Sequence, residues 1–587
     1  MQSHLKAQSV LLMAYWMLSG TQAGAMSLVL DPPTPVSARV GETVHFSAQV
    51  GDDEGGNLWY RFRVREPGED YRVIRDYGPL AELDWTSATY EGDYEMEVSV
   101  RNRDSGEVAT VSTIVHLEAV AIGDQPTVSS TSNSSVFLYS APACAPGARM
   151  RVEFQGPDRF VQNTPYKPCR AGLTMNYYLA GLREDTSYTA HYRTDAGGRV
   201  SAGPDVSFTT EDFPLDIPSS AVIVASQKPV SGEVILASRV DARPMAHDLD
   251  GRVVWYGNDT ITLLTRPEAD GSMWGIVEVS GADTSQQIIR KFDLAGTTLL
   301  ETNAARVNEQ LMARGNRQIS AFHHEVRTLP DGRIAALASV EQILTDVQGP
   351  GPVDVVGDMI VVFDKELNVV WTWDTFDNLD VYRMAVLGEP CPAACGPMML
   401  ANKGTDWTHG NAIQYTPDGN LLYSSRHQDW LIKIAYEDGD GDGHVIWRLG
   451  KDGDFRFDSG DSFPWFSHQH DGNFISPTDL LVFDNGNTRV AGGMTGNSRG
   501  QLIRLDETNR VATLVLNADL GVFAQAVGSA SKLKDGNYHF CAGFVFESFK
   551  YKAYSLEISP SGKTVYSSKS DTVLYRSFRM PSMYGPD

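Results

Sequence analysis

Positive charge is scarce in this chain. Its 587 residues include 49 lysines and arginines against 74 acidic residues, and the formal net charge is −25. Binding to a phosphate backbone requires the opposite balance, so nucleic acid is excluded as a partner. Beyond the first residues no apolar run approaches the ~20 residues that a membrane-spanning helix needs, so no transmembrane span is expected after the leader. A Gly-rich phosphate loop is missing, which removes a nucleotide donor from consideration. So is the Ser-centred elbow of an α/β hydrolase. Helical periodicity is almost absent. Cysteine is sparse, with five in the whole chain. Cys391 and Cys395 close a very short loop and read as a local disulfide. Cys144 and Cys169 fall in one segment and could pair. Cys541 lies within an apolar strand and reads as a buried free thiol. No second pair of close cysteines completes a zinc site with Cys391 and Cys395, and no metal or other cofactor is expected.

What is present points outward and to β structure. Lys6, the apolar run Val10 to Leu18 and the small residues Ala23, Gly24 and Ala25 have the order of an export signal spanning 1–25. An exported, periplasmic location permits disulfides. The chain is too long for a single core. Alternating strands such as Val44 to Val50 and Tyr94 to Val100, separated by turn residues, read as an Ig-like β-sandwich over 26–122. Residues 123–213 read as a second sandwich of fibronectin III type, closing on Thr186 to Thr194 and Val206 to Thr210.

After Pro214 the pattern becomes a repeat. Turns of one type recur at Pro330-Asp331-Gly332, Pro417-Asp418-Gly419, Lys534-Asp535-Gly536 and Pro560-Ser561-Gly562. Strands of a second type end in Trp255, Trp371 and Trp447. Units of about 40–60 residues with four strands each are what propeller blades require, and 214–587 holds about six. The expected fold is therefore all-β: a six-bladed β-propeller preceded by two β-sandwiches. The run Asp438 to Gly443 looks like half of a calcium loop, but Leu449 stands where an EF-hand needs an acid, so the run reads as a solvated turn.

Propellers bind ligands where their inner strands begin, and three of these strands begin with histidine: Phe322-His323-His324-Glu325, Trp407-Thr408-His409-Gly410-Asn411 and Phe466-Ser467-His468-Gln469-His470. Folding the hairpins about their turns places His409 opposite Arg426 and His427, and His470 opposite Asp484 to Asn487. His409 and Asn411, two apart, should share a strand face. Arginine and asparagine are fixed donors for a tetrahedral oxyanion, and neutral histidine is a nucleophile and proton carrier.

At these residues the chain resembles the bacterial PAPS-independent arylsulfotransferases. The matching stretches are Asp406 to Asn411, Ser424-Ser425-Arg426-His427-Gln428, Gln469-His470-Asp471 with Phe483-Asp484-Asn485-Gly486-Asn487, and the closing Tyr575-Arg576. The resemblance implies a periplasmic six-bladed propeller that moves a sulfuryl group from a phenyl sulfate donor to a phenol acceptor by a ping-pong route through a sulfohistidine. It makes His470 the nucleophile and gives His409, Asn411 and Arg426 the sulfuryl oxygens. His323 or His324 would move a proton; spacing to the next turn favours His323. Ser529 would be the last channel position, and Trp407, Phe322, Trp465 and Phe466 could stack on the phenol. The resemblance also implies a disulfide at Cys391 and Cys395 made by periplasmic disulfide-forming machinery, and it allows a homodimer. Two other readings use the same residues: a non-catalytic ligand- or partner-binding propeller, and a metalloenzyme ligated by these histidines.

Overall fold

The computed structural model describes residues 26–586 except 34, 52–55, 215, 228–231, 280–282, 392–399, 402 and 495. The expected leader and Cys395 therefore lie outside the described residues. Strands dominate, and the α-helices among the described residues are three and short. The longest of them, Ala304–Ala313, has ten residues. Its buried stripe is only Ala304, Val307 and Leu311, too brief to stand out as a period. Asn303 caps it, its side chain accepting from the Arg306 N–H at 2.9 Å.

From Val234 onward the chain builds six antiparallel runs of four strands, five in sheets of their own and one, between Leu263 and Asn303, at the end of a nine-stranded sheet shared with strands up to Glu118. Their inner strands are Leu263–Pro267, Ala321–Thr328, Gly410–Tyr415, His470–Phe474, Ser529–Lys532 and Leu574–Met580. The last of these is the C-terminal strand, yet it pairs with Val234–Arg239 at the start of the region. The first and last strands of this region thus share one sheet. Neighbouring inner strands touch in cyclic order, and Leu574–Met580 touches both Ser529–Lys532 and Leu263–Pro267.

Repeat signals fall where β geometry needs them. Gly332, Gly419 and Gly536 occupy left-handed turns between an inner strand and its neighbour, a conformation that favours glycine. Gly562 serves a different turn, joining Lys550–Ile558 to Thr564–Ser570. Trp255, Trp371 and Trp447 sit on the fourth, outermost strands. The Asp438 to Gly443 run does structural work: carbonyls of Gly441 and Gly443 accept from the indoles of Trp371 and Trp373 at 3.0 and 2.9 Å. Arg333 donates to the Asp438 carbonyl at 2.7 Å. The run thereby staples the sheet of Gly410–Tyr415 to that of Ala321–Thr328.

Ahead of this region, strands between Ser27 and Glu118 enclose a core around Phe46, Phe62, Trp85 and Met96. A second core joins Tyr139, Val152, Tyr177 and Leu182 to Trp255, Leu294 and Met583 of the later sheets, so the N-terminal half is seated on the repeat region through shared apolar packing. Arg306 with Asp76 and Arg75 with Glu301 add buried ion pairs across the same junction. Cys144 and Cys169 form a disulfide. Cys391 is disulfide-bonded as well. Cys541 is free and buried.

Candidate functional site

The histidines gather because inner strands are interrupted where they occur. Pairing registers jump between Phe322 and Val326, between Gly410 and Ala412, and between His470 and Asn473. Such bulges re-aim side chains and recur beside functional sites. Backbone strain collects at the same place: His324, Glu389, His409, Asp429, His468, Asp471 and Val527 are all left-handed. For non-glycine residues that costs free energy and persists only where surroundings enforce it.

His470 is 2% exposed. Its Nδ1–H donates to Asn485 Oδ1 at 2.7 Å. The amide orientation is fixed, because Asn485 Nδ2 donates to the carbonyls of Ala524 and Val527 at 2.8 and 3.1 Å. An amide oxygen only accepts, so the proton sits on Nδ1 and the Nε2 lone pair is free. Burial, followed by the nearby charge of Arg426, holds the imidazole well below its ordinary pKa. His470 is a neutral base with a preset tautomer.

The other histidines are backed differently. His409 Nδ1–H donates to Asp406 Oδ2 at 2.5 Å. His323 places Nε2 at ion-pair distance, 2.9 Å, from Asp358 Oδ1 and shares a 2.9 Å hydrogen bond through Nδ1 with His324 Nδ1. Asp358 is 2% exposed and also accepts from Thr408, Tyr423 and the Gly410 N–H. Burial alone would raise its pKa, but His323 and these hydroxyls hold it below the usual carboxylate range. His324 stands edge-on to His409 and Tyr575, with ring centroids 4.8 and 5.6 Å away. Burial and then the neighbouring His409, His323 and His470 push His324 well below its ordinary value. His324 thus faces the middle of the cluster and His323 supports it from behind. Counting back from the next turn favours His323 because it misses the bulge between Phe322 and Val326.

The same geometry moves Asn411. The bulge at Gly410–Ala412 breaks the two-residue alternation, so Asn411 does not share a face with His409. Its Nδ2 donates to the Gln469 carbonyl at 2.7 Å, and its Oδ1 accepts from the Asp471 N–H at 3.4 Å. Arg426 stays close to His409, whose carbonyl accepts from the Arg426 N–H at 3.2 Å. Its guanidinium contacts His427 Nε2 and donates to the Gln525 carbonyl at 3.1 Å, while Nε is buried without a partner. Burial keeps its pKa below the ordinary value, only partly offset by Glu389, Asp406 and Asp429.

Beneath the histidines runs a buried charge network. Arg576 donates to Glu325 at 3.0 Å, to the Asn411 carbonyl at 2.7 Å and to the Thr265 carbonyl at 3.0 Å. Arg266 pairs with Glu325 and Asp471, and Asp471 accepts from the Ala530 N–H at 3.1 Å. These contacts tie all six inner strands together. Ser529 belongs to this frame, its Oγ donating to the Ser577 carbonyl at 2.9 Å. The aromatic candidates pack elsewhere. Phe322 and Phe466 are core residues, Trp407 packs on Val353 and Val355 with its indole on the Arg383 carbonyl, and Trp465 lies edge-on to Phe457. Their side chains fill the gaps between sheets.

Sequence reading passed over Asp358, Glu389, Asp429 and the supporting role of His468. Asp358 alone left a signal, a carboxylate deep in the apolar strand Pro352–Phe363. Two groups of donors could hold a cation: Glu389, His427 and His468, and Asp406, His409 and His427. Both need His427, whose Nε2 contacts Arg426 and whose Nδ1–H donates to the Asp406 carbonyl at 2.5 Å. A cavity of about 640 Å³ lies away from the histidines, between Arg75, Leu80, Asp259 and Arg290. Its arginines are already paired with Glu301.

A family model described as Arylsulfotransferase (ASST) matches residues 219–576, more than half of the chain and all the histidines of the site. No curated protein matches the chain. Among solved structures, the FN1–FN3 domains of chicken CNTN1 align at 12% identity with a TM-score of 0.14, too low to support any structural argument. The alignment covers 31% of this chain and spans 64% of that one.

Proposed function

The chain belongs to the arylsulfotransferase family, and from that premise we propose that it transfers a sulfuryl group from an aryl sulfate to a phenol through His470. Family membership supports aryl sulfotransferase activity in general; the route is our reading. The observation that carries it is the His470–Asn485 pair. A histidine nucleophile must be neutral, must keep its proton on the far nitrogen and must present an open lone pair. His470 meets all three conditions.

In the first half-reaction His470 Nε2 attacks sulfur and the bond from sulfur to the aryl oxygen breaks. The phenolate leaves as the anion and takes its proton from solvent, since His324, held neutral, stands by as the base for the second half-reaction with His323–Asp358 its support. The sulfuryl group is left on Nε2, with Nδ1 still held by Asn485. Arg426 and His409 face the developing charge on the sulfuryl oxygens. In the second half-reaction an acceptor phenol gives its proton to the same histidine, its oxygen attacks sulfur, and the N–S bond breaks. Asn411 acts from behind, through Gln469 and Asp471, by fixing the strand that carries His470.

We assign the six four-stranded runs of 214–587 to a six-bladed propeller, with sandwiches at 26–122 and 123–213. The cyclic contact of inner strands and the sharing of one sheet by the first and last strands support this division. The disulfide Cys144–Cys169 supports an exported, periplasmic protein, and no described helix is long and apolar enough to cross a membrane. The test is release of nitrophenol from 4-nitrophenyl sulfate by the mature chain. Release should require an added phenol and need no nucleotide. The His470→Ala variant should fold and release none; retained transfer in that variant would refute the assignment.

A further inference from the structure

Three carboxylates surround Arg426, and none of them pairs with it. Glu389, Asp406 and Asp429 are the acids whose charges act most on its guanidinium. Each of them is instead held by a histidine ring. Asp406 Oδ2 accepts from His409 Nδ1 at 2.5 Å. Glu389 Oε1 lies 2.8 Å from His468 Nε2. Asp429 Oδ1 lies 2.9 Å from His468 Nδ1 and accepts from the His468 N–H at 2.7 Å, while its Oδ2 accepts from Thr488 at 2.7 Å. An arginine beside three free carboxylates would take one of them as a bidentate partner.

We propose that His468 is a positioning residue which, as an imidazolium clamped between Glu389 and Asp429, keeps those carboxylates off Arg426 and so leaves the guanidinium open to an anionic sulfuryl group. That the anion is a sulfuryl group rests on the function proposed above; the clamp itself rests on geometry. His468 is 1% exposed, and a carboxylate on each ring nitrogen requires both to carry protons. Burial would lower its pKa, but the Asp429 and Glu389 hydrogen bonds outweigh burial and the opposing charge of Arg426, and the value is raised. The other titratable neighbour is His427, whose ring centroid is 5.6 Å away and which burial holds neutral. Glu389, Asp429 and His468 all have left-handed backbones, so the chain is bent at three points to bring them together.

The clamp fails in a defined way. When His468 loses its proton, Glu389 is left with a free charge, and its Oε2 is already 3.6 Å from His427 Nε2, the atom that Arg426 contacts. Glu389 then turns to Arg426 and competes with the anion. Because the folded-state pKa of His468 is raised, the clamp is complete below the ordinary histidine value and is lost as pH rises through the raised one.

Epistasis between His468 and Glu389 tests this by calorimetric binding of inorganic sulfate to the mature chain. His468→Gln should weaken sulfate binding about tenfold, the size of one lost charge-assisted contact. Adding Glu389→Gln to that variant should restore most of the affinity, and the single variant Glu389→Gln should bind at least as tightly as the wild type. Wild-type affinity should fall with rising pH more steeply than that of the double variant. Unchanged binding in His468→Gln, or no rescue by Glu389→Gln, would overturn the clamp. If His468→Gln does not fold, tenfold weaker binding by Glu389→Gln alone would overturn it. His470→Ala separates the two readings: it should lose turnover and keep sulfate binding. A wild type that shows the epistasis but transfers no sulfuryl group would refute the function and leave the clamp standing.

Discussion

A histidine's chemistry is set by what holds its other nitrogen, and the histidines here span the range. Carboxylates back His323, His409 and His468, whereas His470 has a neutral amide. The two carboxylates on His468 hold it as the imidazolium, which suits a cation; the amide on His470 leaves the ring neutral, which suits a nucleophile. Replacing Asn485 with Ala should therefore release the tautomer and lower kcat about a hundredfold, with KM for the aryl sulfate little changed. Steady-state kinetics checks this, and a KM effect without a kcat effect would count against it. Arg426→Lys should cost about 10²–10³ in kcat despite the retained charge, because a lysine cannot bridge two sulfuryl oxygens. Nitrophenol release under saturating phenol measures it.

Among elements, the inner strands do the positioning, and they show where the sequence could be read and where it could not. Hairpin turns at Gly419 and at Pro477-Thr478 are written in residue type, so the pairing of His409 with Arg426 and of His470 with the strand ending at Asp484 is legible. Bulges have no such spelling. They insert one residue without a change of composition, and that is why Asn411 lies off the expected face and why His324, not His323, faces His409. Glu389 and Asp429 were illegible for a different reason: each belongs to a connection between strands and meets His468 only in three dimensions. The helix Ala304–Ala313 makes a separate test at this scale. Asn303 caps it and also donates to the Tyr77 carbonyl at 2.9 Å. Asn303→Ala should lower stability by about 1–2 kcal/mol without altering the site, as chemical denaturation would show.

For the whole molecule, the N-terminal half and the repeat region share one apolar core, through Leu182 and Tyr177 on one side and Trp255 and Met583 on the other. They should unfold together. Removing 26–213 would expose Trp255 and Tyr584 and is expected to lower Tm and promote aggregation, read by calorimetry and light scattering. Protons act on the same scale. His247, His427, His470 and His539 are buried and His324 is partly so, and loss of solvent lowers each below its ordinary value, His539 to about 3. Groups with depressed folded-state values stabilise above the unfolded value, and that contribution is lost as pH falls toward the folded one. Stability should therefore decline steadily below about pH 6.5, with His468 opposing the trend.

Sulfuryl transfer through His470 is tested most directly by peptide mass spectrometry after the mature chain is mixed with 4-nitrophenyl sulfate and no acceptor. The expected result is one SO₃ unit on the peptide holding His470, absent from His470→Ala and discharged when phenol is added. Transfer of sulfate to phenol with no modified peptide at any time, or the same modification in His470→Ala, would contradict it.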